Sequence, residues 1–114
     1  MSNNTEQQQQ LLLVVAILTI APDAVNQFRE YETRAARILA RYGGVMERTV
    51  EVEPSASREY MREVHVLSFP SKEAFASYRI DTELATLAEL RAVCIAHTDI
   101  LIGREGPRYI VPAR

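Results

Sequence analysis

Between Leu11 and Ala21 almost every position is apolar, and the Val and Ile content of that stretch favours a strand, which Pro22 closes. The spacing then changes. From Pro22 to Tyr42 the apolar positions Val25, Phe28, Tyr31, Ala35, Ile38, Leu39 and Tyr42 recur at intervals of three and four, one face of a helix. Pro22 suits a first helical turn, and Asp23 places negative charge at the positive end of the helix dipole. Gly43 and Gly44 end the helix, because glycine takes the left-handed conformation that many helix C-termini need.

Alternation follows from Val45 to Glu53, with Met46, Arg48, Val50 and Val52 on one side and Val45, Glu47, Thr49 and Glu51 on the other, as in a half-exposed edge strand. Residues 54–57 are turn formers, and a second apolar run from Tyr60 to Phe69 predicts another strand. Ser71 is placed to cap the helix that starts near Glu73 and runs to Tyr78, and Asp81 to cap a second helical segment from Thr82 to Ala92. Cys94 to Gly103 predicts the last strand. Residues 1–10 are expected to be a disordered polar lead-in, 11–106 a single domain, and 107–114 a C-terminal arm.

The predicted order is βαββαβ, the ferredoxin-like arrangement: a four-stranded antiparallel sheet, strands one and three central, with two helical segments on one face. Its first strand shows no polar side. Helices cover only one face of such a sheet, so a second copy is expected on the other, pairing the sheets into a dimeric α/β barrel.

Composition narrows the functional classes. Thirteen Lys and Arg against fifteen Asp and Glu give a net charge of -2, which offers no counterion-release energy for nucleic acid and no attraction to an anionic membrane. Cys94 stands alone, so no intrachain disulfide forms, and with His65 and His97 it makes no zinc set of the Cys/His kind. No metal or cofactor is expected. The apolar run at Leu11 is too short to span a membrane, and no Lys or Arg precedes Arg29 as a secretory signal would require, so a cytoplasmic protein is expected.

Three segments carry a family resemblance: Arg41-Tyr42-Gly43-Gly44 after the first helix, Ser68-Phe69-Pro70-Ser71-Lys72-Glu73-Ala74 at a strand-to-helix junction, and the spaced set Tyr78, Asp81, Glu83 and Arg91 with a closing Ile102-Gly103. In these the stretch from Tyr31 to Gly106 resembles the small uncharacterised proteins of the DUF1330 family, within the dimeric α/β-barrel superfamily. The chain departs from that pattern at Ser68, at Tyr78-Arg79 and at Leu84, where the family carries an acidic residue, Trp-Tyr and Tyr. The resemblance implies a ferredoxin-like dimer and names no reaction.

No glycine-rich phosphate loop, paired metal ligands or nucleophile elbow occurs. His65 lies in the third strand on the same face as Leu67 and Phe69, either as a buried histidine satisfied by its neighbours or as a proton-moving group at a site. Arg91 lies on the apolar face of the last helical segment, either bridged to Glu83, Asp81 or a carboxylate of a partner subunit, or clamping an anion through its planar guanidinium. Tyr78 packs its ring on the sheet with its hydroxyl at solvent or at a pocket. His97 and Asp99 share a strand face at an exposed edge and do not compel a dyad, and Cys94 reads as a small buried hydrophobe. His65, Tyr78 and Arg91 are therefore the candidate substrate-binding set. The expected ligand is a small organic acid or aromatic, and the alternative is a cofactor-independent monooxygenase, isomerase or decarboxylase using the same cavity.

Overall fold

The computed structural model describes residues 10–57 and 59–110, so residues 1–9 of the expected lead-in and 111–114 of the expected arm lie outside the described residues. Eight elements follow one another: β1 (Leu12–Ile20), α1 (Val25–Arg41), β2 (Val45–Val52), β3 (Arg62–Phe69), α2 (Lys72–Arg79), α3 (Thr82–Ala85), α4 (Ala88–Cys94) and β4 (Ile95–Gly103). The strands form one sheet in the order β2-β3-β1-β4. Every pairing is antiparallel, and the two most buried strands, β1 and β3, are central. This is the ferredoxin-like topology.

Alternation in β1 divides the two faces of the sheet. Val14, Ala16, Leu18 and Ile20 are buried. Against the last three pack Phe28, Tyr31, Ala35 and Ile38 of α1 and Cys94 of α4, and Val14 packs with Leu39 and Phe69. Fully burying a Leu, Ile or Phe side chain contributes about 1.5–3 kcal/mol, so this interleaved layer is the main stabilising element. On the other face Leu13, Val15 and Ile17 are only half-buried, and no helix among the described residues covers them.

The structure corrects four local expectations. Pro22 and Asp23 do not start α1: they form a turn closed by the Ala24 N–H on the Ala21 carbonyl, with Asp23 at φ 58°, and the helix begins at Val25 with no side-chain cap. Asp is among the few residues that tolerate this left-handed region, which lets the chain reverse out of β1.

Of the two glycines after α1, only Gly43 is left-handed, at φ 72°. Its N–H reaches the Ala40 carbonyl and that of Gly44 the Leu39 carbonyl, the paired bonds of a Schellman ending. Gly44 is required for a different reason: a Cβ there would stand 2.6 Å from the Leu39 side chain.

The alternation expected for β2 is broken. Met46 pairs with Leu67 and Arg48 with Val66, so Glu47 is an extra residue and everything beyond it changes face. Val45, Arg48, Val50 and Val52 thus share the uncovered face, while the Glu47 carboxylate accepts from the buried Ser68 hydroxyl at 2.6 Å. Finally, the segment from Thr82 to Ala92 is two short helices joined at Thr86–Leu87, where Leu87 turns into the core. The caps at Ser71 and Asp81 are as expected, accepting from the Ala74 and Leu84 N–H groups at 3.0 and 2.9 Å.

Candidate functional site

A cavity of about 540 Å³ lies between the inner sheet face and the helices. Most of its wall is apolar. His65, Tyr78 and Arg91, the three residues singled out from the sequence, all line it, and so do Tyr31 and Glu32 of α1.

His65 enters by strand alternation: it faces Ala16 across the β1–β3 ladder on the helix side, with only 3% of its surface exposed. Its two ring nitrogens stand between two carboxylates. Nε2 is 2.7 Å from Oε1 of Glu63, and Nδ1 is 3.5 Å from Oε1 of Glu32. Glu63 is in turn held by Arg29, which also reaches Glu51 at 2.9 Å. Burial by itself would push the Glu63 carboxyl up, but the hydrogen bonds and charges of Arg29 and His65 outweigh it and hold the group below the usual carboxylate range. The opposite balance governs Glu32, where burial outweighs the pull of His65 and Arg91 and raises the carboxyl.

Arg91 sits in the last turn of α4 and donates to the Thr98 hydroxyl on β4 at 2.8 Å. The two carboxylates of this chain expected as its partners are engaged elsewhere: Glu83 with Arg41 at 2.7 Å, and Asp81 with the Tyr42 hydroxyl. Among the described residues no carboxylate comes within ion-pair distance of Arg91. Its charge nevertheless acts on Tyr31 and Glu32, opposing the rise that burial gives each.

Tyr78 packs its ring against Phe69, centroids 5.7 Å apart, and edge-on to Tyr42. Burial pushes its phenol far above the ordinary value, so the hydroxyl stays protonated and available as a donor. Phe69 and Phe75 add flat apolar surface at the same end.

Two members of this constellation escape a reading that scores only apolar periodicity. Glu32 stands four residues after Phe28 and three before Ala35, inside the buried stripe of α1. Glu63 stands two before His65 on the same strand face. A carboxylate at a buried position of each pattern was the available signal. His97 and Asp99 lie 3.1 Å apart on the uncovered face of β4, both exposed and remote from the cavity wall. Cys94 is fully buried, and burial raises its thiol.

No family model matches the chain, and no curated protein does. Solved structures match it over most of its length. A protein of unknown function from Rhodopseudomonas palustris superposes with a TM-score of 0.71 at 13% identity, covering 94% of each chain. A putative antibiotic biosynthesis monooxygenase from Nitrosomonas europaea gives 0.64 at 16% identity, covering 83% of this chain and 89% of that one. SnoaB, a cofactor-independent oxygenase from Streptomyces nogalater, gives 0.56 at 15% identity, covering 91% and 99%. At these identities the shared property is the fold, a ferredoxin-like four-stranded antiparallel sheet with helices. Among the described residues no helix is long and apolar enough to cross a membrane.

Proposed function

We propose that this chain binds a small organic acid or aromatic acid in the cavity between sheet and helices. One observation carries the reading: Arg91 presents a guanidinium to a largely apolar cavity with no carboxylate partner among the described residues. Arg91 is half-buried, and a ligand carboxylate docking on its planar fork would pair the charge through two parallel bonds. Phe69, Phe75 and the ring of Tyr78 supply the surface for the ligand's apolar part, and the Tyr78 hydroxyl a donor for its orientation.

The binding form in this reading is a homodimer. Leu13, Val15 and Ile17 of β1, Val64 and Val66 of β3 and Leu101 of β4 share the uncovered sheet face, an apolar surface of the kind that a two-fold copy of itself buries. Kinship with the DUF1330 proteins belongs to the same reading and rests on the Tyr-Gly-Gly and Phe-Pro-Ser segments.

A second reading, a cofactor-independent enzyme, is favoured by the His65 ring held between two carboxylates at the cavity wall, which is proton-transfer equipment that a simple binding pocket does not need. Native mass spectrometry of freshly purified protein, followed by calorimetric titration with benzoate, tests the binding reading. The expected result is a stoichiometric anionic ligand, or benzoate binding that Arg91→Gln weakens at least tenfold. Equal benzoate affinity in wild type and Arg91→Gln overturns the assignment of Arg91.

A further inference from the structure

Glu32 and Arg91 face the same cavity and do not form an ion pair. The Arg91 charge acts on Glu32 across the cavity without contact, which leaves space between them for a ligand. Glu32 is also one-sided. Its Oε1 faces the His65 Nδ1 at 3.5 Å, and Oε2 has no partner among the described residues. Behind His65 the chain of contacts continues through Glu63 to Arg29: the hydrogen bond between Nε2 and Glu63 holds the imidazole with Nδ1 turned toward Glu32 at 3.5 Å. His65 is thereby committed at Nε2 and faces Glu32 at Nδ1, and Glu32, which lines the cavity, keeps an oxygen without a partner among the described residues.

We propose that Glu32 is the general base of this cavity, with His65 as its positioning residue, and that the substrate class is an enolisable aryl 2-oxo acid. The inference rests on the binding reading above and assigns the reacting group within it. Arg91 holds the carboxylate, and the aryl group lies among Phe69, Phe75 and the ring of Tyr78. Oε2 of Glu32 removes a proton from the carbon next to the ketone. The electrons of that C–H bond become the new C=C π bond, and the carbonyl π pair moves onto oxygen to give the enolate. The Tyr78 hydroxyl, which has no hydrogen-bond partner among the described residues, donates to the enolate oxygen. Return of the proton to carbon or to oxygen completes an exchange or a keto–enol isomerisation, with no oxidant or reductant. A carboxyl raised by burial is a better match to a carbon acid at neutral pH than an ordinary surface carboxylate.

The test uses phenylpyruvate and the full chain in deuterated buffer, with loss of the methylene signal followed by proton NMR and binding followed in parallel by calorimetry. Wild type is expected to accelerate exchange over buffer, and Glu32→Gln to lower that rate by about a hundredfold while phenylpyruvate still binds and the thermal midpoint shows a folded protein. In wild type the exchange rate should rise with pH as Glu32 deprotonates. The groups around Glu32 are His65 and Glu63 on β3, Arg29 and Tyr31 on α1, Arg91 on α4 and Tyr78 on α2. Because the charge of His65 lowers the Glu32 carboxyl, His65→Gln should move the midpoint of that profile to higher pH, a readout that loss of packing alone does not produce. Binding without exchange in wild type, or exchange in Glu32→Gln equal to wild type, overturns the assignment of Glu32 and leaves the binding reading standing. Absence of both phenylpyruvate and benzoate binding overturns the two together.

Discussion

Nε2 of His65 and Oε1 of Glu63 stand 2.7 Å apart on the helix-covered face of β3, although strand geometry gives residues two apart no obligatory contact. Arg29, from α1, closes on the other Glu63 oxygen and ties the helix to the sheet through this pair. Glu63→Gln removes the charge and half of the acceptor capacity, and should lower stability by about 1–3 kcal/mol in denaturant titrations. Since the folded protein holds Glu63 below its usual value of 4.5, the stabilisation is present above that value and is lost as pH falls through the lower folded value. Wild type should therefore lose more stability on acidification than Glu63→Gln.

Glu32 behaves with the opposite sign. Its folded value is raised, so between the usual 4.5 and the folded value the native state holds the extra proton, and stability falls as pH rises through that window. Glu32→Gln, which mimics the protonated group, should be more stable than wild type at neutral pH, and the gain should vanish below the usual carboxylate value. Thermal melts over a pH series check this, and a variant less stable than wild type at pH 7 would show that the Glu32 charge is well accommodated.

The two glycines after α1 should fail for separable reasons. Gly43→Ala meets both a left-handed φ of 72° and the Pro70 ring at 2.8 Å, whereas Gly44→Ala meets the Leu39 side chain at 2.6 Å. Each should cost on the order of 1 kcal/mol or more. Leu39→Ala should relieve part of the Gly44→Ala cost and none of the Gly43→Ala cost, measured as a double-mutant cycle on the denaturant midpoint.

The uncovered sheet face gives the test of assembly. Val15 and Ile17 point away from the helices. In a dimer built on this face, Ile17→Asp places a carboxylate in an apolar interface at a cost of several kcal/mol. Light scattering at micromolar concentration should show a dimer for wild type and a monomer for Ile17→Asp, and a monomeric wild type removes the dimer.

The order of elements, the central placement of β1 and β3 and the inward direction of His65 were all legible in the chain, because period two and period three-to-four are local consequences of strand and helix geometry. The caps at Ser71 and Asp81 were legible for the same reason: each acts within three residues. What periodicity could not show was any event in which one chain segment depends on another. The Glu47 bulge exists because β2 must keep register with β3, and no feature of β2 alone marks it. The Asp23 turn answers the angle at which α1 has to leave β1. The site divides along the same line. Alternation and helical spacing aimed His65, Tyr78 and Arg91 at the core side, but pairing His65 with Glu32 across 33 residues of sequence, and leaving Arg91 without Glu83, were decided only when α1, β3 and α4 packed around one cavity. Charge pairing depends on distance in space, and that distance is fixed by packing.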